Sequence, residues 1–172
     1  MKRVILFAAI ISVASLQNAS PGNSDVEVHC MPNKIGQDIK LDTKQSSRQA
    51  AKERWKYDVT LENKTFKEMT NVEIKYIVFY TQEHFGSKDP ASARRKNGSL
   101  SFPSIKPREK KSFSTEPVEL KKAQLNSGWY FADGGKEKAQ DALTGIWVRV
   151  YQNGEQFAEY ANPSNLTKEQ WK

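Results

Sequence analysis

The sequence predicts an all-β fold, an antiparallel β-sandwich of about seven to nine short strands. Three observations predict it. Residues 54–62 place Trp55, Tyr57, Val59 and Leu61 on one face and Lys56, Asp58, Thr60 and Glu62 on the other. That period of two belongs to a half-buried strand. Residues 145–151 and 155–160 flank Gln152-Asn153-Gly154, and Asn-Gly supports the positive φ angles of a tight hairpin turn. Gly, Pro, Asn and Asp recur between the remaining short apolar runs, with no sustained helical period. One sheet hides only one face, so the alternating apolar sets require a second layer. A closed barrel is the alternative arrangement.

The elements follow in order. Met1-Lys2-Arg3 is a basic start, residues 4–14 are almost wholly apolar, and Ser15, Ala19 and Ser20 are small. That order is the pattern of a secretory signal peptide over residues 1–19. The apolar run is about half the ~20 residues of a spanning helix, so an uncleaved anchor is the lesser reading. Cleavage fits after Ser15 or after Ala19. Residues 20–24 then form a linker, 25–161 a single β-sandwich domain, and 162–172 a tail. Residues 26–31 and 39–41 read as short strands, and 45–52 as a helix or a polar lead-in to the Trp55 strand. In residues 72–80, Val72, Ile74, Tyr76, Val78 and Tyr80 share a face. The other face turns from Glu73 and Lys75 to Ile77 and Phe79, as in a strand that ends covered on both sides.

Residues 81–97 are polar and form the longest expected loop. Short strands follow at 99–105, with Pro103 marking an edge, at 111–115 and at 118–125. Residues 136–143 suit two helical turns with Ala139, Ala142 and Leu143 on one side. The tail suits a short helix over 164–171, capped by Ser164 or Asn165.

The segment from Val59-Thr60-Leu61-Glu62-Asn63 through Asn71-Val72-Glu73-Ile74-Lys75-Tyr76-Ile77-Val78-Phe79-Tyr80 to Ile105-Lys106-Pro107-Arg108-Glu109 and Phe113 resembles exported immunoglobulin-like domains of the FxLYD type. The resemblance spans residues 57–115, about a third of the chain. It implies an immunoglobulin-like or fibronectin-III-like sandwich with a binding or scaffolding role, and it carries no catalytic residue across. The sequence departs from the pattern at Gln82 and Glu83, where an Asp-Gly turn is usual. It departs again at Arg108, where glycine is usual. The immunoglobulin Cys–Trp–Cys core is absent.

The formal net charge of +7 falls to +5 without Lys2 and Arg3, since 25 basic residues then face 20 acidic ones. Basic clusters at Arg94-Arg95-Lys96, at Lys106 to Lys111 and at Lys121-Lys122 read as solvated edge residues that discourage strand pairing. The other reading is a patch for anionic glycans. Nucleic acid is a poor fit for an exported chain. Cys30 has no partner for an intramolecular disulfide, so burial, an inter-chain bond or a ligand role are its options.

His29, Cys30 and Met31 are contiguous, and with His84 they supply the residue types of a copper site on a β-sandwich. On a strand, however, Cys30 points opposite to its two neighbours. The metal alternative therefore rests on His29, Cys30 and His84, with copper its only cofactor. Enzyme motifs are lacking: there is no Gly-x-Ser-x-Gly, no His-Glu-x-x-His and no glycine-rich phosphate loop. Carboxylates such as Asp133 and Glu137 leave only a carboxylate-based hydrolase as a further alternative.

Trp129-Tyr130-Phe131, beside Asp133-Gly134-Gly135, either enters the core or offers stacking surface to a ligand. Trp171 stands in a polar tail and either docks back on the sandwich or anchors a partner. Asn63, Asn97 and Asn165 each begin a glycosylation sequon. The leading expectation is an exported, non-enzymatic domain without a cofactor. It binds a protein or glycan of the cell envelope or beyond, with Trp129, Tyr130 and Trp171 as ligand-binding candidates. No transmembrane segment is expected after signal cleavage.

Overall fold

Two antiparallel sheets pack face to face in the computed structural model, which describes residues 25–41 and 47–171. The expected signal peptide and linker lie outside the described residues. The strands are β1 (Val26–Leu41), β2 (Arg48–Asn63), β3 (Met69–Gln82), β4 (Ser92–Ile105), β5 (Lys110–Ser114), β6 (Val118–Leu125), β7 (Lys138–Gln140), β8 (Ala142–Gln152) and β9 (Glu155–Asn162). One sheet runs β1-β2-β6-β7, with β5 also paired to β2, and the other runs β4-β3-β8-β9. β5 and β6 lie end to end along β2: Lys110–Ser114 pairs with residues 58–62, and Val118–Leu125 with residues 48–55. Among the described residues, no helix is long and apolar enough to cross a membrane.

The alternation read in the sequence sets the core. Val26 and Val28, then Tyr57, Val59 and Leu61, pack from the first sheet against Val72, Ile74, Tyr76, Val78, Ile146, Val148 and Val150 of the second. The second face of β3 is covered as expected. Ile77 and Phe79 join Trp147, Ala161 and Leu166 in a smaller cluster on the outer side of that sheet. Burial of these large side chains is the main favourable term for a domain of this kind. The Asn153-Gly154 turn has φ of 51° and 86°, both positive as a type I′ turn requires.

Four expected elements differ. The strands at 26–31 and 39–41 are one strand, because backbone pairing with β2 continues through the polar stretch, with a shift between Lys34 and Gly36. The loop expected at 81–97 shrinks to residues 83–91. β3 continues to Gln82 and β4 begins at Ser92, an edge strand whose exposed residues need no apolar partner. The helix expected at 136–143 is strand instead. Lys138–Gln140 pairs with Lys122–Gln124, and buried Ala139 alternates with exposed neighbours, so sheet pairing overrides helix compatibility. The tail holds only a 3₁₀ helix over Ser164–Lys168. Pro163 occupies its cap position without a side-chain cap, in place of Ser164 or Asn165.

Polar anchors join the layers. Asp141, buried between β7 and β8, accepts from the Glu83 N–H and the Lys121 N–H, both at 2.9 Å. Tyr76 Oη accepts from the Glu116 N–H at 3.0 Å, across the break between β5 and β6. Asn63 is fully buried. Its amide donates to Lys67, Ile105 and Lys106 carbonyls and accepts from Thr65, so this sequon asparagine is committed to the turn.

Candidate functional site

Trp129 and Tyr130 stand at the tip of the loop of residues 126–137, which joins β6 to β7. They are 56 % and 76 % exposed, and Phe131 turns inward. The loop is pinned from several sides. Asn126 N–H donates to the Ser47 carbonyl at 2.8 Å, and Leu125 N–H to that of Glu137 at 2.9 Å. Gly86 N–H donates to the Lys136 carbonyl at 3.1 Å, and Lys136 N–H returns to Ser87 at 3.3 Å. Phe131 meets Phe85 edge to face at 5.2 Å, and the Arg48 guanidinium stands over Phe85 at 5.5 Å. Gly135 permits this docking, since a Cβ there would overlap the Gly86 carbonyl oxygen. The aromatic pair is therefore presented by a braced loop.

A groove lies beside that loop. Its lining includes Gln37, Gln49, Gln124 and Gln140 with Lys122 and Lys138, and alanines fill much of the remainder. The register explains its polarity. Leu120 opposes Glu53, Lys122 opposes Ala51 and Gln140, and Gln124 opposes Gln49 and Lys138. These rows continue the inward face of Trp55 and Val118 past the apolar core. Glu53, 4 % exposed, marks the boundary. It accepts from Lys34 at 2.8 Å, Trp55 Nε1 at 3.0 Å and Lys122 at 3.0 Å. The Lys34 bond leads the effects that hold its carboxyl down at about 2.

Trp171 docks back onto the sandwich. It packs edge-on against Trp147, and Arg149 lies 4.4 Å over its ring. The structure therefore does not bring Trp171 together with the Trp129–Tyr130 tip as one exposed surface. The metal candidates are also separate. His29 points outward, 2.8 Å from Glu27, whereas Cys30 faces the core beneath it, and His84 is exposed on the loop after β3. Among the described residues, no three His, Cys, Asp or Glu side chains form a metal-holding group. Of the carboxylates singled out, Asp133 accepts from the Gly135 N–H at 3.2 Å within its own turn.

The basic clusters are largely spent on intramolecular contacts. Arg94 donates to Gln82, Arg95 pairs with Glu169, and Lys96 pairs with Glu116. Lys110 pairs with Glu62, and Lys111 with Glu109. Sequence reasoning missed the groove, because the pairing of β7 with β6 assembles it and residues 136–143 read as helix.

No protein-family model matches the chain, and no curated protein matches it. Among solved structures it is similar to Northeast Structural Genomics Consortium target SoR45, at 12 % identity and a TM-score of 0.36, over 70 % of this chain and 87 % of that one. A second similar structure, from Akkermansia muciniphila, has 13 % identity and a TM-score of 0.26, over 82 % of this chain and 73 % of the other.

Proposed function

We propose that this chain is an exported, non-enzymatic binding domain of the immunoglobulin-like, FxLYD-like kind. Its ligand is a protein or glycan of the cell envelope or of the space outside the cell. The observation that carries the reading is the pair Trp129 and Tyr130, large aromatics left in solvent on a loop braced by Phe131, Phe85 and Gly135. Aromatic anchors on a rigid loop offer contact area at low conformational cost. They suit stacking on sugar rings as well as burial in a protein partner. Export rests on the order of residues 1–20.

The test is capture from envelope extract together with a glycan array, using the wild-type domain and a Trp129→Ala/Tyr130→Ala variant. A specific ligand retained by the wild type and lost by the variant supports the reading. Equal retention by both moves the binding surface elsewhere, and measurable turnover in an activity screen replaces binding with catalysis.

A further inference from the structure

The groove at the β2, β6 and β7 end has a volume of about 360 Å³. That lies at the small end of the roughly 300–1,000 Å³ typical of ligand pockets. Its chemistry is one-sided. Four glutamine amides and two lysine ammoniums line it, and among the described residues its lining contains no carboxylate and no aromatic ring. Each amide offers donors and an acceptor, as vicinal hydroxyls require, and each ammonium offers donors to an anion. Lys122 is held by Glu53 at 3.0 Å, which positions it while leaving further N–H donors for a ligand. Lys138 is exposed on β7 and makes no ion pair with the described residues. Ala51, between Gln49 and Glu53, leaves the floor low enough for a ring to approach the sheet.

We infer that this groove binds an acidic carbohydrate, a sugar that carries an anionic group as well as hydroxyls. The amides read the hydroxyls, and Lys138 with Lys122 holds the anion. The strands that carry Gln124 and Lys138 run directly into the loop of Trp129 and Tyr130. The inference deepens the proposed binding role and rests on it.

The test is calorimetric titration of the full chain after removal of its leader. The probes are tetragalacturonate, a sulfated heparin tetrasaccharide, neutral maltotetraose, and sodium acetate or sulfate alone. Binding of either acidic tetrasaccharide, at least about tenfold tighter than maltotetraose or the simple anions, is the expected result. The two acidic probes separate carboxylate from sulfate as the anion. Lys138→Glu weakens that binding at least about tenfold, the loss expected for a hydrogen bond to a charged group, and Gln140→Ala weakens it about threefold to tenfold, as for a neutral hydrogen bond to a hydroxyl. Both positions are exposed strand residues, and an unchanged melting temperature excludes misfolding as the cause. Absence of binding by the wild type, equal binding of maltotetraose, or full affinity in Lys138→Glu overturns the inference. Trp129→Ala/Tyr130→Ala, run in parallel against envelope extract, separates the two readings. If that variant loses its captured ligand while no acidic tetrasaccharide binds the wild type, the binding role stands and the groove assignment fails.

Discussion

Trp171 meets Trp147 edge to face, with ring centroids 4.7 Å apart and planes at 88°. Arg149 covers both rings, at 4.4 and 4.5 Å, and is itself held by Glu159 at 2.7 Å. Glu159 also accepts from Trp147 Nε1 at 2.9 Å. The C-terminal tail is thus a lid on the outer cluster of β3 and β8, and Arg95 fastens it by donating to the Gln170 carbonyl at 2.8 Å. Trp171→Ala should cost about 1–3 kcal/mol, from the ring packing and the cation–π contact together. Urea unfolding measures it, and a change below about 0.5 kcal/mol, the range of an ordinary surface substitution, would show that the tail is not part of the folded unit.

Gly98 on β4 lies opposite Tyr76 on β3, and a Cβ at Gly98 would overlap the tyrosine ring. The glycine lets Tyr76 cross to the Glu116 N–H. Gly98→Ala should therefore destabilise by about 1–3 kcal/mol through overpacking. Tyr76→Phe, which keeps the ring and removes only the acceptor, should cost about 1 kcal/mol. Thermal unfolding of the two variants separates them, and a Gly98→Ala protein as stable as wild type would contradict the close approach.

Most of the sandwich was legible because its central strands alternate cleanly. Residues 54–62, residues 72–80 and the Asn153-Gly154 hairpin each carry a local signal strong enough to place a strand and its inward face. Arg108, in the turn before β5, has a φ of 60°, in the left-handed region that glycine adopts at no steric cost. What escaped the sequence depends on partners. β7 is only three residues long and owes its existence to pairing with β6. The polar continuation of β1 carries no alternation, because it is held by backbone bonds to β2. The groove inherits that illegibility. Its residues are ordinary glutamines and lysines until four strands bring them into register. Trp129 and Tyr130 were visible as a run, but which member would enter the interior was not.

Asp141 is one carboxylate serving two backbone donors, one from the end of β3 and one from β6. An amide at this position has only one oxygen, so Asp141→Asn leaves one N–H without its acceptor. Asp141→Ala leaves both. The losses should be graded, about 1–2 kcal/mol for Asn and about 2–4 kcal/mol for Ala. Hydrogen exchange offers a local check: the amides of Glu83 and Lys121 should lose protection in the variants. Equal stability of Asn and Ala would mean that one of the two bonds contributes nothing.

Acid should destabilise the fold in a defined window. Glu53 is held at about 2, first by the hydrogen bond from Lys34, and Asp58 is also held at about 2, first by Ser114. Both carboxyls are more acidic folded than unfolded, where 4.5 and 3.8 are their ordinary values. Their stabilisation is therefore complete above about pH 5 and is lost as pH falls through the range between those values and about 2. Glu53 lies almost out of solvent, so its share should be on the order of 2–3 kcal/mol. Asp58 is more exposed and should contribute less. Glu53→Gln should flatten the stability profile between about pH 5 and pH 2. A profile as steep as that of wild type would place the acid sensitivity elsewhere.

Cys30 shares the inward face of β1 with Val26 and Val28 and packs against the core. Burial alone pushes its thiol well above the ordinary value of 9.0. The thiolate is the reactive form, so the folded protein should react slowly with a disulfide reagent at neutral pH even though the cysteine is free. Reaction should become fast once the chain is unfolded in guanidinium, with one thiol released per chain. Because modification then requires opening of the β1 edge, its rate should rise when Val28 or Leu61 is cut to alanine. Rapid, stoichiometric labelling of the native wild type would place the sulfur in solvent. It would reopen a ligand role or an inter-chain bond for this residue.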